Sequence, residues 1–398
     1  MKKKNSGNPI ITGIFTADPS AHVWDDGRIY IYASHDMDPP RGCDMMDHYH
    51  VYSSSDMANW LDEGEILCAA DTKWGRPEGG FMWAPDCAYR NGKYYFYYPH
   101  PSETRWNDTW KIAVAVSDKP NKDFTDLGPI EGLGGFALID PCVFIDFDGK
   151  AYMYYGGAAR CLGCEMNDDM ISIKNEPVEM EGLEDFHEAT WVFRRGDIYY
   201  LTYSDNLPGK NRLRYATSSS PLGPWTYRGI YLEPTDCDTS HGSVVEFKGQ
   251  WYQFYHNCNI SRQGNLRSVC ADKLFFDENG LIKMIEQTKH GIDAVPGGKE
   301  LTFPTDEFAF TAELAENEEY TLEKTSDRDT RVQITVFTDA EELSKVRLFI
   351  NGEDKSLLNL YGGEGTVTFG FVKGANKLTL AAHKKSVKLT GVKLEYLD

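Results

Sequence analysis

No apolar run in the 398-residue chain approaches the roughly 18 residues that a membrane-crossing helix needs. Positive charge is scarce: 41 Lys and Arg stand against 61 Asp and Glu, a net charge of −20. So acidic a chain repels phosphate backbones, which argues against nucleic acid as a partner, whereas neutral ligands such as sugars meet no such barrier. The Lys2–Lys4 start imitates the basic end of a signal peptide, but no apolar h-region follows. Cys161 and Cys164 form a CxxC pair without the second ligand pair that a tetrahedral zinc site requires. Nine cysteines in a chain this large read as free buried thiols rather than a disulfide framework. Those thiols tilt the expected location to the cytoplasm; a removed leader would instead make the protein periplasmic or secreted. Amphipathic helical periodicity is missing from the first 300 residues.

Aromatic residues are abundant, at 13% of the chain, and suit pleated sheets. They recur in a repeat. Five segments share one template, an ionisable or small residue, an apolar strand, a turn with glycine and an aromatic strand: DPSAHVWDDGRIYIY from Asp18, WAPDCAYRNGKYYFY from Trp83, DPCVFIDFDGKAYMY from Asp140, EATWVFRRGDIYYLTY from Glu188 and HGSVVEFKGQWYQFY from His241. The turn glycines Gly27, Gly92, Gly149, Gly196 and Gly249 are 65, 57, 47 and 53 residues apart. Asp26-Gly27, Asn91-Gly92 and Asp148-Gly149 predict type I′ hairpins. With further strand-like pieces between them, each period holds about four strands, the size of a propeller blade. The sequence therefore predicts an all-β protein, a five-bladed β-propeller over residues 1–300. A β-sandwich gives no reason for one hairpin to recur five times, and a β-helix turn is far shorter.

All nine Trp and all nine Cys fall at or before Cys270. Pro296-Gly297-Gly298 and Pro304 read as a linker. Beyond it, alternation predicts strands at Arg331–Thr338, Lys345–Ile350, Thr366–Phe371, Lys377–Ala381 and Val387–Tyr396. Residues 301–398 are thus expected to form a small β-sandwich.

Chemistry enters through the phase of the repeat. Asp18 and Asp140 stand nine residues before their turn glycines, and Glu188 and His241 eight before theirs; Trp83 and Ala84 occupy those offsets in the second unit. Equivalent positions of successive blades surround a propeller's axis. Three carboxyls and an imidazole should therefore meet at one end of the tunnel. A single Asp before Pro commonly caps a turn, but capping does not explain four ionisable groups in one phase. Carboxyls crowded in a partly dry pocket cannot all ionise, and an enzyme that needs an acid and a base at one pH uses that conflict. Glycosidic bond hydrolysis fits such a site.

The ordered motifs ADPSAHVW, WAPD, IDPCVF, HEATWVFRRGDIYYLTYS and HGSVVEF resemble glycoside hydrolase family 43 from about residue 8 to 300. The resemblance implies a five-bladed propeller that hydrolyses arabinofuranosyl or xylosyl linkages of plant cell-wall glycans with inversion. It implies Asp18 as general base, Glu188 as general acid and Asp140 as the carboxylate that raises and orients the acid. Arg267 resembles a substrate-contacting basic residue. His241 resembles the axial histidine that holds a water or a structural calcium ion, the chemistry itself needing no cofactor. At the acid the family often reads Glu-Gly-Pro or Glu-Ala-Pro, where this chain has Glu188-Ala189-Thr190.

Trp83 and His35 are candidates for the sugar pocket wall, as are Trp74, Trp106 and Trp110, although a lone Trp usually packs between blades. Asp86 reads as structural. Asp36, Asp38, Asp44 and Asp47 with His48 and His50 read as a solvated loop more readily than as a metal site. The final segment, FVKGANKLTLAAHKKSVKLTGVKLEYLD, resembles the ends of family 6 or 35 carbohydrate-binding modules. Two other readings remain open: a sugar-binding propeller without catalysis, and a phosphorylase or transferase, for which Arg267 is the one basic candidate.

Overall fold

The computed structural model describes residues 3–38, 44–103, 109–134, 137–205, 207, 209–299 and 301–398. Among them are 27 strands and one 3-10 turn at Ala69–Asp71. The first 19 strands form five antiparallel sheets. Blade one comprises β1 (Thr16–Val23), β2 (Ile29–His35), β3 (His48–Ser54) and β4 (Leu61–Cys68). Blade two comprises β5 (Asp86–Arg90), β6 (Lys93–Pro101), β7 (Trp110–Ser117) and β8 (Thr125–Pro129). Blade three holds β9 (Cys142–Ile145), β10 (Ala151–Tyr155), β11 (Leu162–Glu165) and β12 (Val178–Glu179). Blade four holds β13 (Glu188–Arg195), β14 (Ile198–Ser204), β15 (Leu213–Ser218) and β16 (Thr226–Leu232). Blade five holds β17 (Gly242–Phe247), β18 (Gln250–Asn257) and β19 (Ser268–Leu274).

The strands β1, β5, β9, β13 and β17 touch one another in that order, and β17 returns to β1. They are the inner strands of a closed five-bladed propeller. Blade five has three strands, and the chain start runs beside the third. Ile10 N–H donates to Val269 O, Thr16 N–H to Arg267 O, and the Asn8 side chain to Ala271 O and Asp272. The two chain ends of the propeller are thereby fastened together, which protects the sheet edge.

The aromatic strands form the seams between blades. Tyr32, Tyr49, Tyr97, Tyr98, Tyr154, Tyr155, Tyr200 and Tyr203 are fully buried. Several hydroxyls reach partners across the seams, Tyr97 to Met170 O and Tyr154 to Pro221 O among them. Each ring buries large apolar area while its polar tip stays bonded. The described cysteines are all free thiols.

The hairpin turns differ in part from expectation. Asn91-Gly92 has positive φ at both residues, 52° and 80°, as a type I′ turn requires. At Asp26-Gly27 and Asp148-Gly149 only the glycine does. There Gly27 N–H donates to Trp24 O and Gly149 N–H to Asp146 O, which makes each a longer loop ending in a left-handed glycine. Lys248-Gly249 is the pair with both φ values positive that the sequence did not flag.

The remaining strands are β20 (Thr305–Leu314), β21 (Glu319–Ser326), β22 (Thr330–Thr338), β23 (Ser344–Ile350), β24 (Glu353–Leu360), β25 (Glu364–Phe371), β26 (Gly374–Ala382) and β27 (Val387–Tyr396). They pair as β20-β27-β22-β25 and β21-β26-β23-β24, two sheets with a Val, Ile and Leu core between them. The sandwich lies against β4. Thr368 N–H donates to the Asp62 carboxylate and Asp62 N–H to the Gln333 side chain. Gly13 leaves room for the crossing: a Cβ there would sit 1.9 Å from Thr366 O.

Candidate active site

The phase of the repeat becomes a cavity. Asp18, Trp83 and Ala84, Asp140, Glu188 and His241, one position from each blade, line a space of about 120 Å³ with Met46, Thr239, Ser240 and Arg267. The backbone turns sharply where the carboxyls enter. Asp18 and Asp140 each have φ of +52°, and Ala189 has +67°. The register of β1 against β2 slips between Ala17 and Ser20, and that of β13 against β14 between Glu188 and Trp191. Such bulges re-aim a side chain, and non-glycine residues hold left-handed φ only where the surroundings compensate about 1–3 kcal/mol each.

The compensation is visible. Asp18 N–H donates to His256 Nδ1 at 3.1 Å, and His256 Nε2 lies 2.9 Å from Thr239 O. These partners assign a neutral ring with its proton on Nε2. Burial and the Arg267 charge hold the His256 pKa down at about 3. Ala189 N–H donates to Asp140 Oδ2 at 2.7 Å, and the Thr190 hydroxyl donates to Asp140 O.

Asp18 and Arg267 form one charged unit. Ser34 Oγ donates to Asp18 Oδ2 at 2.6 Å and Arg267 Nη1 to Asp18 Oδ1 at 3.0 Å. Burial pushes the Asp18 carboxyl up, but Arg267, His241, His256 and Ser34 outweigh it and bring the pKa down to about 2. Arg267 is itself clamped by Asp36, through Nε at 2.9 Å, Nη2 at 2.8 Å and its backbone N–H at 2.7 Å. Thr239 Oγ1 accepts a further bond from Nη1 at 2.8 Å. Asp18 is therefore ionised across the ordinary pH range.

Glu188 and Asp140 have the opposite character. Burial, then the Asp18 charge, push Glu188 up to about 7 against the pull of Arg267. Burial and the Glu188 charge push Asp140 upward as well. The two titrate as a pair that retains a proton near neutrality. His241 Nδ1 lies 3.8 Å from Asp140 Oδ2, and burial drives its pKa below the usual value. The half-exposed His187 places Nε2 3.6 Å from Glu188 Oε2 at the rim.

Other sequence candidates are placed differently. His35 is buried against His48, ring centroids 4.1 Å apart, and is not among the cavity residues. Trp74 donates to Asp126 and packs on His100, and Trp110 packs on Trp83 at 4.3 Å. Trp106 lies outside the described residues. Asp86 accepts from Ser20, His22 and Val143 N–H and ties three inner strands together. The acidic segment is not a solvated loop. Asp36 is buried under Arg267, Asp38 pairs with Lys345 of the sandwich and Asp47 contacts His48, leaving Asp44 exposed. Sequence reasoning put Asp36 in a solvated loop and missed Thr239 and His256; the charge of Asp36, beside a strand end, was the one available signal.

Calcium takes six to eight oxygen ligands. No group of three ligating side chains that includes His241 converges among the described residues, and both Asp18 oxygens are engaged by Ser34 and Arg267. That donor set fits a dedicated calcium site poorly.

An ionised carboxylate and a carboxyl inclined to keep its proton line one small cavity, the acid and base that glycosidic hydrolysis requires. The comparisons place it more narrowly. The family model for glycosyl hydrolases family 43 matches residues 6–282. Xylosidase/arabinosidase 43A of Humicola insolens is 36% identical over 69% of this chain and 98% of its own length. A xylosidase/arabinosidase of Bacteroides ovatus is 34% identical over 70% and 97%. A β-xylosidase/α-arabinofuranosidase from a compost metagenome, solved with xylotriose in a calcium-free form, is 34% identical, with a TM-score of 0.65 over 72% of this chain and 98% of that one. The chain belongs to glycosyl hydrolase family 43. An arabinoxylan arabinofuranohydrolase from Bacillus subtilis, 22% identical, shares the fold over 99% of this chain and 98% of its own with a TM-score of 0.63.

Proposed function

We propose that this glycosidase removes terminal xylosyl or arabinofuranosyl units from arabinoxylan-type glycans, with inversion. The carrying observation is the opposite protonation of Asp18 and Glu188 on one cavity of about 120 Å³. A space that small suits one sugar unit and so exo action. In this reading the Asp18 carboxylate takes a proton from the water that attacks the anomeric carbon. Glu188 gives its proton to the departing oxygen. Burial and the Asp18 charge favour the protonated acid, and Asp140, bound to the Ala189 N–H, orients it. Arg267 keeps Asp18 ionised, and Trp83 supplies an apolar face for the sugar. Inversion requires about 6.5–9.5 Å between the base and acid carboxyls, room for the attacking water. Residues 1–300 form the catalytic domain and 301–398 an accessory domain seated on β4.

The relatives named for xylosidase and arabinosidase activity support the sugar class. The test is a panel of aryl α-L-arabinofuranosides, β-D-xylosides and β-D-galactosides beside arabinan and xylan. Cleavage of the pentosides, abolished by Asp18→Asn with sugar binding retained, supports the proposal. Glycan binding without cleavage of any substrate would replace it with the sugar-binding reading.

A further inference from the structure

One feature of blade one has no part in this chemistry. Three imidazoles lie on one face of β2 and β3. Ala33 pairs with His50, so His35 and His48 stand across from each other at the strand ends, and His50 pairs with Glu65 of β4. The ring centroids are 4.1 Å apart for His35 and His48 and 5.4 Å for His48 and His50. One ligand atom from each of His48, His50 and Glu65 falls within 4.8 Å of the others, and the same holds for His35, Asp47 and His48.

Two of these rings have a carboxylate near Nδ1. His48 Nδ1 lies 2.5 Å from Asp47 Oδ1, and His50 Nδ1 lies 3.5 Å from Asp62 Oδ1. Nε2 is the remaining nitrogen on each ring. Metal-ligating histidines characteristically give their other ring N–H to a carboxylate, which fixes the tautomer and aims the free lone pair. Asp62 is in turn held by Gly64 N–H and by Thr368 of the sandwich. His35 adds an orphan: it is 8% exposed and its Nδ1 has no hydrogen-bond partner.

We propose that His48, His50 and Glu65 bind a first-row transition-metal ion such as Zn2+, with Asp47 and Asp62 as orienting carboxylates and His35 packed beside them. Nitrogen donors select such ions over calcium and magnesium, which prefer all-oxygen shells. Two imidazoles and one carboxylate leave a fourth tetrahedral position for water. The ion would pin β3 to β4 where the sandwich sits. It would also brace the end of β2, whose next residue, Asp36, clamps Arg267. Its role is therefore structural support for the site rather than participation in bond cleavage.

The test is calorimetric titration of chelator-treated full-length protein with Zn2+, with Co2+ absorption as a second probe and Ca2+ as a competitor. The expected result is one equivalent of Zn2+, a visible Co2+ spectrum of nitrogen and oxygen ligation, no displacement by excess Ca2+, and a raised melting temperature. Glu65→Gln, at an exposed position, and His48→Gln should each weaken Zn2+ binding tenfold or more. Asp47→Asn should weaken it by about 10–100-fold as an orienting partner. Absence of stoichiometric Zn2+ binding by the wild type, or equal affinity in Glu65→Gln, would overturn the proposal.

Discussion

Replacing Glu188 by glutamine should weaken the enzyme and stabilise the fold, and the stabilisation should grow with pH. The buried carboxyl has a pKa of about 7 in the folded chain against 4.5 ordinarily. In the unfolded chain it ionises at its ordinary value. Below that value both states are protonated and the group costs nothing. Between 4.5 and 7 folding takes up a proton, so stability falls as pH rises through this window. Above 7 the difference is complete, and at about 1.4 kcal/mol per tenfold change it amounts to about 3 kcal/mol. Glutamine has nearly the same shape and no charge to desolvate. Urea unfolding of Glu188→Gln and wild type should therefore differ by about 3 kcal/mol in the variant's favour near pH 8.5, shrinking below about 1 kcal/mol near pH 4.5. Turnover of glycosides with poor leaving groups should fall about 10²–10⁴-fold, as for loss of a general acid. A stability gain that is the same at both pH values, or a loss near pH 8.5, would refute the claim that burial and the Asp18 charge keep this carboxyl protonated.

Asp36→Asn removes one partner of a buried ion pair and should cost about 3–5 kcal/mol, read by urea unfolding, with kcat/KM falling as Arg267 loses its clamp. Asp86→Asn weakens charge-assisted bonds that join three inner strands. It should cost about 2–3 kcal/mol while leaving the pH–rate profile of the folded enzyme in place. Trp83→Ala should raise KM more than it lowers kcat, because the proposed function gives the ring a binding role on the cavity wall and none at the reacting bond. Proton NMR during hydrolysis of an aryl β-xyloside should show the α anomer of the product first; the β anomer first would contradict inversion.

The propeller was legible because its information is local and repeated. Each hairpin carries its own turn glycine, and the five ionisable or small residues stand eight or nine positions before it. That offset brought Asp18, Asp140, Glu188 and His241 to one cavity with Trp83 and Ala84. What stayed hidden depends on long-range pairing. The chain start closing blade five through Ile10 and Thr16 leaves no periodic signal. The bulges at Asp18 and Ala189 follow from tertiary compensation by His256 and Asp140, far away in sequence. Val387–Tyr396 matches its expected bounds, whereas Thr305–Leu314, Glu319–Ser326 and Glu353–Leu360 went unseen. The first two alternate half-buried with fully exposed positions, and their Glu, Lys and Thr content masks the apolar face. The loop reading of the acidic segment failed because composition cannot show that Asp36 meets Arg267, 231 residues away.

The pH dependence of kcat/KM on an aryl pentoside tests the central claim most directly. The account predicts activity that persists well into acid, since Asp18 ionises at about 2, and falls on a basic limb near 7 that belongs to Glu188. In Glu188→Gln that limb should vanish from the residual activity on a substrate with a good leaving group. An unchanged basic limb in the variant, or full activity in Asp18→Asn, would show that the catalytic protons reside elsewhere.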